Sequence, residues 1–177
     1  MPLTDAVVMP SVSRRPDRTV KAARPGALRC GDMDEWVSCA PFNAVPNQIL
    51  HDIIRLRIDV FVVEQECPYP ELDGHDDEPG TVHWWVTRDD LVVATCRMLV
   101  GDVPNEHRLG RVATRPSVRG GLTATRLVDA ALDSVAGPVT IGAQAPLEGW
   151  YARFGFVRSG PDYVEDGIPH LPMRLDR

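Results

Sequence analysis

Lysine occurs once in the 177-residue chain, as Lys21. A Walker A loop requires Gly-Lys-Ser/Thr, so a P-loop NTPase is excluded. Schiff-base and pyridoxal-phosphate chemistry need a sheltered lysine, and none follows position 21. HExxH, GxSxG and GxGxxG are all missing. The four cysteines, Cys30, Cys39, Cys67 and Cys96, include no CxxC pair. With no basic-then-apolar leader before them, they read as reduced thiols of a cytoplasmic protein. No apolar run approaches the ~18 residues of a membrane span, so no membrane partner is expected. Bases are too few for a generic nucleic-acid binder: 19 stand against 25 acids, a net charge of −6.

What is present is unevenly distributed. Residues 1–30 carry a net +4, which leaves −10 on the remaining 147. This opening stretch is rich in proline and serine and has no periodic apolar face. It reads as a basic flexible N-terminal extension, followed by one domain over 31–177.

Within the domain, apolar and polar periodicity sets the elements. Glu35 to Cys39 is a strand candidate. Ile49, Leu50, Ile53, Ile54, Val60 and Phe61 keep helical spacing from Pro46 to Val63, with Arg57 as the one interruption of the stripe. Glu64 to Gly80 is a long acidic loop. Thr81 to Thr87 and Leu91 to Val100 form a hairpin around Arg88-Asp89-Asp90. Leu109 to Arg115 is a strand that Pro116 ends. A helix follows Arg119-Gly120-Gly121 and stops at Gly137-Pro138. Val139 to Ala143, a short helix over Pro146 to Phe154, and strands at Phe156 to Arg158 and Ile168 to Leu175 complete the chain. The order β-α-β-β-β-α-β-α-β-β predicts an α/β fold, a mixed central sheet flanked by helices.

Chemistry concentrates at two places. Arg119-Gly120-Gly121 opens a helix after a strand, and unpaired helix-start N–H groups with a nearby guanidinium suit a phosphate or pyrophosphate. The second place is Gln144-Ala145-Pro146 followed by Trp150-Tyr151-Ala152-Arg153-Phe154-Gly155-Phe156. Together these segments resemble the GNAT-type N-acetyltransferases. Their acyl-CoA loop, Q/R-x-x-G-x-G/A, corresponds to Arg119-Gly120-Gly121-Leu122-Thr123-Ala124, and their Y-x-x-x-G-F segment to Tyr151 through Phe156. Leu122 stands where that loop has its first glycine, but a side chain there leaves the backbone N–H in place. Gln144 stands where asparagine is common, and Thr114 where an aliphatic is common.

A closer resemblance is to the ElaA-like branch, through Leu56-Arg57-Ile58-Asp59-Val60-Phe61-Val62-Val63-Glu64-Gln65-Glu66-Cys67-Pro68-Tyr69. It continues in Asp73-Gly74, Gly142-Ala143-Gln144-Ala145 and Glu165-Asp166-Gly167-Ile168-Pro169-His170. The first helix, the acidic Asp-Gly loop and the Cys96-Arg97-Met98-Leu99 strand also resemble acyl-homoserine-lactone synthases. The resemblance covers about residues 33 to 175 and leaves out the basic extension.

The resemblance implies the GNAT acyl-CoA N-acyltransferase fold and an N-acetyltransferase using acetyl-CoA as acyl donor, with no metal. Acetyl-CoA would lie against Val112, Ala113 and Thr114, with its pyrophosphate on the amides of Arg119, Gly120, Gly121, Leu122, Thr123 and Ala124, and Gln144 close by. Tyr151 would protonate the leaving thiolate. Glu64, Glu66, His83 and His170 are the candidate bases for the acceptor amine, with a water chain as rival. His83, between strand neighbours, reads as structural. The acidic run Asp73-Gly74-His75-Asp76-Asp77-Glu78 lacks EF-hand spacing and reads as a solvated loop, or as a rim attracting a cationic acceptor. The expected partner is a small amine-bearing acceptor, and a homodimer is compatible with the chain. A non-catalytic acyl-CoA-binding regulatory module is the reading of a different class.

Overall fold

Alternation along the strands sends consecutive tryptophans to opposite sides of one sheet. The computed structural model describes residues 28–29 and 35–177. The strands are β1 (Leu28–Arg29), β2 (Glu35–Pro41), β3 (Val82–Arg88), β4 (Leu91–Val100), β5 (His107–Thr114), β6 (Val139–Gln144), β7 (Val157–Arg158), β8 (Tyr163–Glu165) and β9 (Ile168–Leu175). The helices are α1 (Asn47–Arg57), α2 (Thr123–Asp133) and α3 (Glu148–Ala152). Trp85 packs under α1 with Ile49, Ile53, Leu56 and Val60. Trp84 packs on the other face with Leu127, Val128 and Ala131 of α2 and with Tyr151 of α3. Both faces of the sheet are therefore covered, which is why β4 is buried from Val92 to Leu99 rather than alternating. Leu127 is fully buried there, and truncating such a residue to alanine costs about 2–5 kcal/mol.

The sheet order is β1-β2-β3-β4-β5-β6-β9-β7, with β8 on β9. Neighbours are antiparallel except β5 and β6, which pair in parallel only at His107↔Val139 and Arg108↔Thr140. Beyond those pairs the two strands part. β5 also carries a bulge: Thr95 faces Ala113 and Arg97 faces Gly110, so Cys96 opposes both Arg111 and Val112. Arg111 takes φ 52°, a left-handed conformation that turns its side chain toward the α1 face.

The expected hairpin closes as a two-residue turn with Asp89 and Asp90 both at positive φ, matching the twist of β3 and β4. The expected single helix from Pro46 to Val63 keeps nearly that span but changes type along it. It is α-helical over Asn47–Arg57 and continues as a π-helix over Ile58–Glu64. Such segments recur at functional sites. β8 was not expected: three exposed residues joined to β9 through Asp166-Gly167 give no alternation signal. The expected basic extension lies outside the described residues, save Leu28–Arg29, which pair with Val37 and Trp36.

Candidate active site

The gap between β5 and β6 opens into a cavity of about 1270 Å³. One wall carries Val112 and Thr114, the other Gly142 and Gln144. Ala113 points away from it into the α1 core. At one end the chain leaves β5 through a single 3-10 turn, Pro116–Val118, and enters α2. Gly120 sits there at φ 77°, and a Cβ would meet nothing within 4 Å. The glycine is thus required by backbone conformation and leaves open space in front of the helix start. Arg119, Gly121, Leu122 and Ala124 also border the cavity. The Thr123 side chain does not: its hydroxyl donates to buried Glu35 at 2.8 Å, beside Arg88, and so anchors the start of α2 to β2.

The end of the π-helix reaches across this cavity to both walls. The Glu64 carboxylate accepts two hydrogen bonds from Arg119, at 2.6 and 2.7 Å. The Gln65 and Gln144 side-chain amides bond each other, Gln144 Nε2 donating at 3.1 Å. The hydrogen bond from Arg119 holds the Glu64 carboxyl below the usual carboxylate range. A carboxylate so stabilised is a weak base. Glu66, at φ 51°, does not border the cavity.

Tyr151 borders the cavity from α3, within the ring cluster of Trp150 and Phe156. Burial pushes its phenol well above the usual range, so the proton is retained at neutral pH. His170 borders the cavity from β9, where its backbone pairs with Gln144. Its Nδ1 donates to the Ile168 carbonyl at 2.9 Å, and its ring stacks on Tyr163 at 5.6 Å. The carbonyl bond fixes the neutral tautomer, leaving Nε2 as the acceptor.

The opposite end is built quite differently from the expectation of a solvated acidic loop. Arg57, in the middle of the apolar stripe of α1, is buried and donates to Glu71 and, at 2.7 Å, to Asp76. Arg97 of β4 donates to Asp73 at 2.6 and 2.8 Å and to Asp76 at 2.9 Å. Arg111, turned inward by the bulge, donates to Asp73 at 2.8 Å and Glu71 at 3.1 Å. The Tyr69 hydroxyl donates to Glu71. Three guanidiniums thus neutralise three carboxylates, so Glu71, Asp73 and Asp76 are an ion-paired network rather than a solvated face, while Leu72, Gly74, His75, Asp77 and Glu78 stay exposed. Burial alone would raise the Asp73 and Asp76 carboxyls, but the hydrogen bonds and charges of Arg97, Arg57 and Arg111 hold them well below the usual range. His83 is structural, as expected: its Nε2 donates to the Asp76 carbonyl at 2.9 Å, and burial lowers its affinity for a second proton.

Sequence reasoning missed this network and also His75 and Arg108, which border the same end of the cavity. An arginine inside an apolar helical stripe was the available signal for the network. Its partners lie too far along the chain to be found by spacing.

The profile of the Acetyltransferase (GNAT) domain matches residues 58–177. A UPF0039 protein of Mycobacterium tuberculosis is 46% identical over 128 residues, 70% of this chain and 82% of its own length. The Escherichia coli protein ElaA is 38% identical over 130 residues, 70% of this chain and 85% of its own length. The ElaA crystal structure superimposes with a TM-score of 0.73 over 79% of this chain and 98% of ElaA, at 32% identity. An acyl-CoA N-acyltransferase from Pseudomonas aeruginosa gives a TM-score of 0.74 at 35% identity, over 78% of this chain and 97% of its own.

Proposed function

The chain belongs to the GNAT acetyltransferase family, in its ElaA-like branch, and on that premise we propose that it moves an acetyl group from acetyl-CoA to a small primary amine by direct attack in a ternary complex. The observation that carries the reading is the parting of β5 from β6 in front of the α2 start. An extended pantetheine arm fits such a gap as an added strand, pairing with the backbone of Val112 and Thr114. The pyrophosphate then meets the amides of residues 119–124, and the Arg119 guanidinium exchanges Glu64 for the phosphate oxygens.

With His83 buried against the Asp76 carbonyl, His170 is the base among the remaining three candidates. Glu64 is held by Arg119, Glu66 is off the wall, and His170 presents a free Nε2. It takes a proton from the ammonium form of the acceptor, the cationic species that arrives. The amine attacks the thioester carbonyl. A backbone N–H near Val112 to Thr114 stabilises the oxyanion, a contribution of ~3–4 kcal/mol for one good donor. The C–S bond breaks and Tyr151 gives its proton to the thiolate. The thiols of Cys39, Cys67 and Cys96, unbridged among the described residues, are compatible with a cytoplasmic setting.

An amine panel tested for thiol release from acetyl-CoA decides the matter. Turnover with any amine above the hydrolytic background supports the enzyme. CoA binding without turnover across the panel supports the regulatory module instead.

A further inference from the structure

The acceptor end of the cavity has a floor whose side chains are set by β-sheet alternation. Arg108 and Gly110 lie on one face of β5, and their cross-strand partners Leu99 and Arg97 share it. A Cβ on Gly110 would meet nothing within 4 Å, so the floor there is open. Two of the guanidiniums bordering this end are already committed: Arg97 and Arg111 are held by Asp73, Asp76 and Glu71. Arg108, exposed at the rim of this end, is not: it has no carboxylate partner among the described residues. Nearby acids do not supply one. Glu78 is bonded to His75 at 2.7 Å, Glu106 is paired with Arg174, and Asp102 borders the same side cavity without pairing to Arg108.

Arg108 also stands where two cavities meet. A smaller space of about 160 Å³ shares His75, Leu99 and Arg108 with the large one. Across the floor, Gly142 lets the Tyr163 hydroxyl come down onto β6; a Cβ there would lie 2.3 Å from it. Burial and the Glu165 charge hold that same phenol, whose ring stacks on His170, above its usual range, and the Arg108 charge opposes them. The free guanidinium and the proposed base therefore flank one space.

We infer that Arg108 reads a carboxylate on the acceptor, making the substrate class a small amino-carboxylate rather than a plain amine. The inference rests on the proposed acyl transfer. An unpaired guanidinium repels a ligand whose only charge is an ammonium. It pairs in bidentate fashion with a carboxylate, which at once neutralises the ligand and orients its amine toward His170.

The test compares small α- and ω-amino acids with their own carboxamides, by thiol release from acetyl-CoA and with CoA affinity measured by calorimetry. The wild-type protein should favour the carboxylate by about tenfold or more in kcat/KM, the range of a charge-assisted hydrogen bond. Arg108→Gln should bring that ratio close to one, Arg108→Glu should invert it, and Arg108→Lys should keep part of it. Equal use of carboxylate and carboxamide by the wild type, or an unchanged ratio in Arg108→Gln, overturns the inference and leaves acyl transfer standing. CoA binding with no thiol release from either class overturns the acyl-transfer reading and the inference with it.

Discussion

Arg57 and Arg119 both hold carboxylates, and both border the same stretch of chain, yet they are opposites. The Arg57 side chain is 1% exposed and anchors a closed network of three guanidiniums and three acids. The Arg119 side chain is 40% exposed and holds one carboxylate, Glu64, itself 43% exposed. An exposed pair is worth about 0–1 kcal/mol and exchanges partners easily. Removing one member of a buried set strands the others and costs about 3–5 kcal/mol. The Arg57 end of the cavity is therefore the closed one, and the Arg119 end, where we propose that acyl-CoA binds, is exchangeable, as binding a polyanion requires.

Arg57→Met should break the comparison most severely. It keeps the stem volume but leaves Glu71 and Asp76 with one cation each. We expect a loss of about 3–5 kcal/mol, a fall of roughly ten degrees in Tm for a domain of this size. Thermal unfolding followed by circular dichroism reads it, and a fall under two degrees would remove the structural role of the network.

Acid should act on the same end without mutation. The folded Asp73 and Asp76 carboxyls are held below their unfolded value, so the unfolded state binds more protons at low pH. Their contribution is complete above the unfolded pKa of about 3.9 and is lost as pH falls below it. Tm should slope gently downward below about 6.5, where unfolded His83 takes up a proton that burial opposes in the folded protein, and drop steeply below about 4. A Tm that shows no steep fall below about 4 would remove the two carboxyls from the account.

Tyr151→Phe tests the middle of the cavity. The ring stays, the proton goes, and turnover should fall about 10²-fold while CoA affinity holds. Undiminished turnover would make Tyr151 a packing residue only.

Arg119→Glu probes the exchangeable end. It should weaken CoA at least tenfold, ~1.4 kcal/mol or more, with little change in Tm. Calorimetry checks the first half and thermal unfolding the second. A large stability loss would mean that the two ends are not built differently after all.

The same contrast explains what could be read from sequence. The Arg119 end is a local object: a strand end, Pro116, glycines and a helix start within about ten residues. The β4 boundaries, the Asp89-Asp90 turn and α2 were legible for the same reason, since period and turn chemistry act over short spans. The network is not local. Arg57 meets acids 14 and 19 residues on, and Arg111 reaches back 38 and 40. No periodicity connects such positions. Hence the acids of 71–76 were read as solvated when they are among the most confined charges in the protein. The π-helix was also invisible, because its residues keep the same apolar spacing as the helix it extends.

Adjacent Trp84 and Trp85, facing opposite layers of the sheet, give the protein two built-in optical probes. Trp84 sits in the layer of α2 and Tyr151, Trp85 in the layer of α1. A variant emitting mainly from one indole would follow one layer alone. If the layers melt together, both variants will trace one transition, which is the test for two-state unfolding. If the α1 layer detaches first, for instance in acid, the Trp85 emission will move ahead of the Trp84 emission, and the sheet itself will have divided the molecule into separately melting halves.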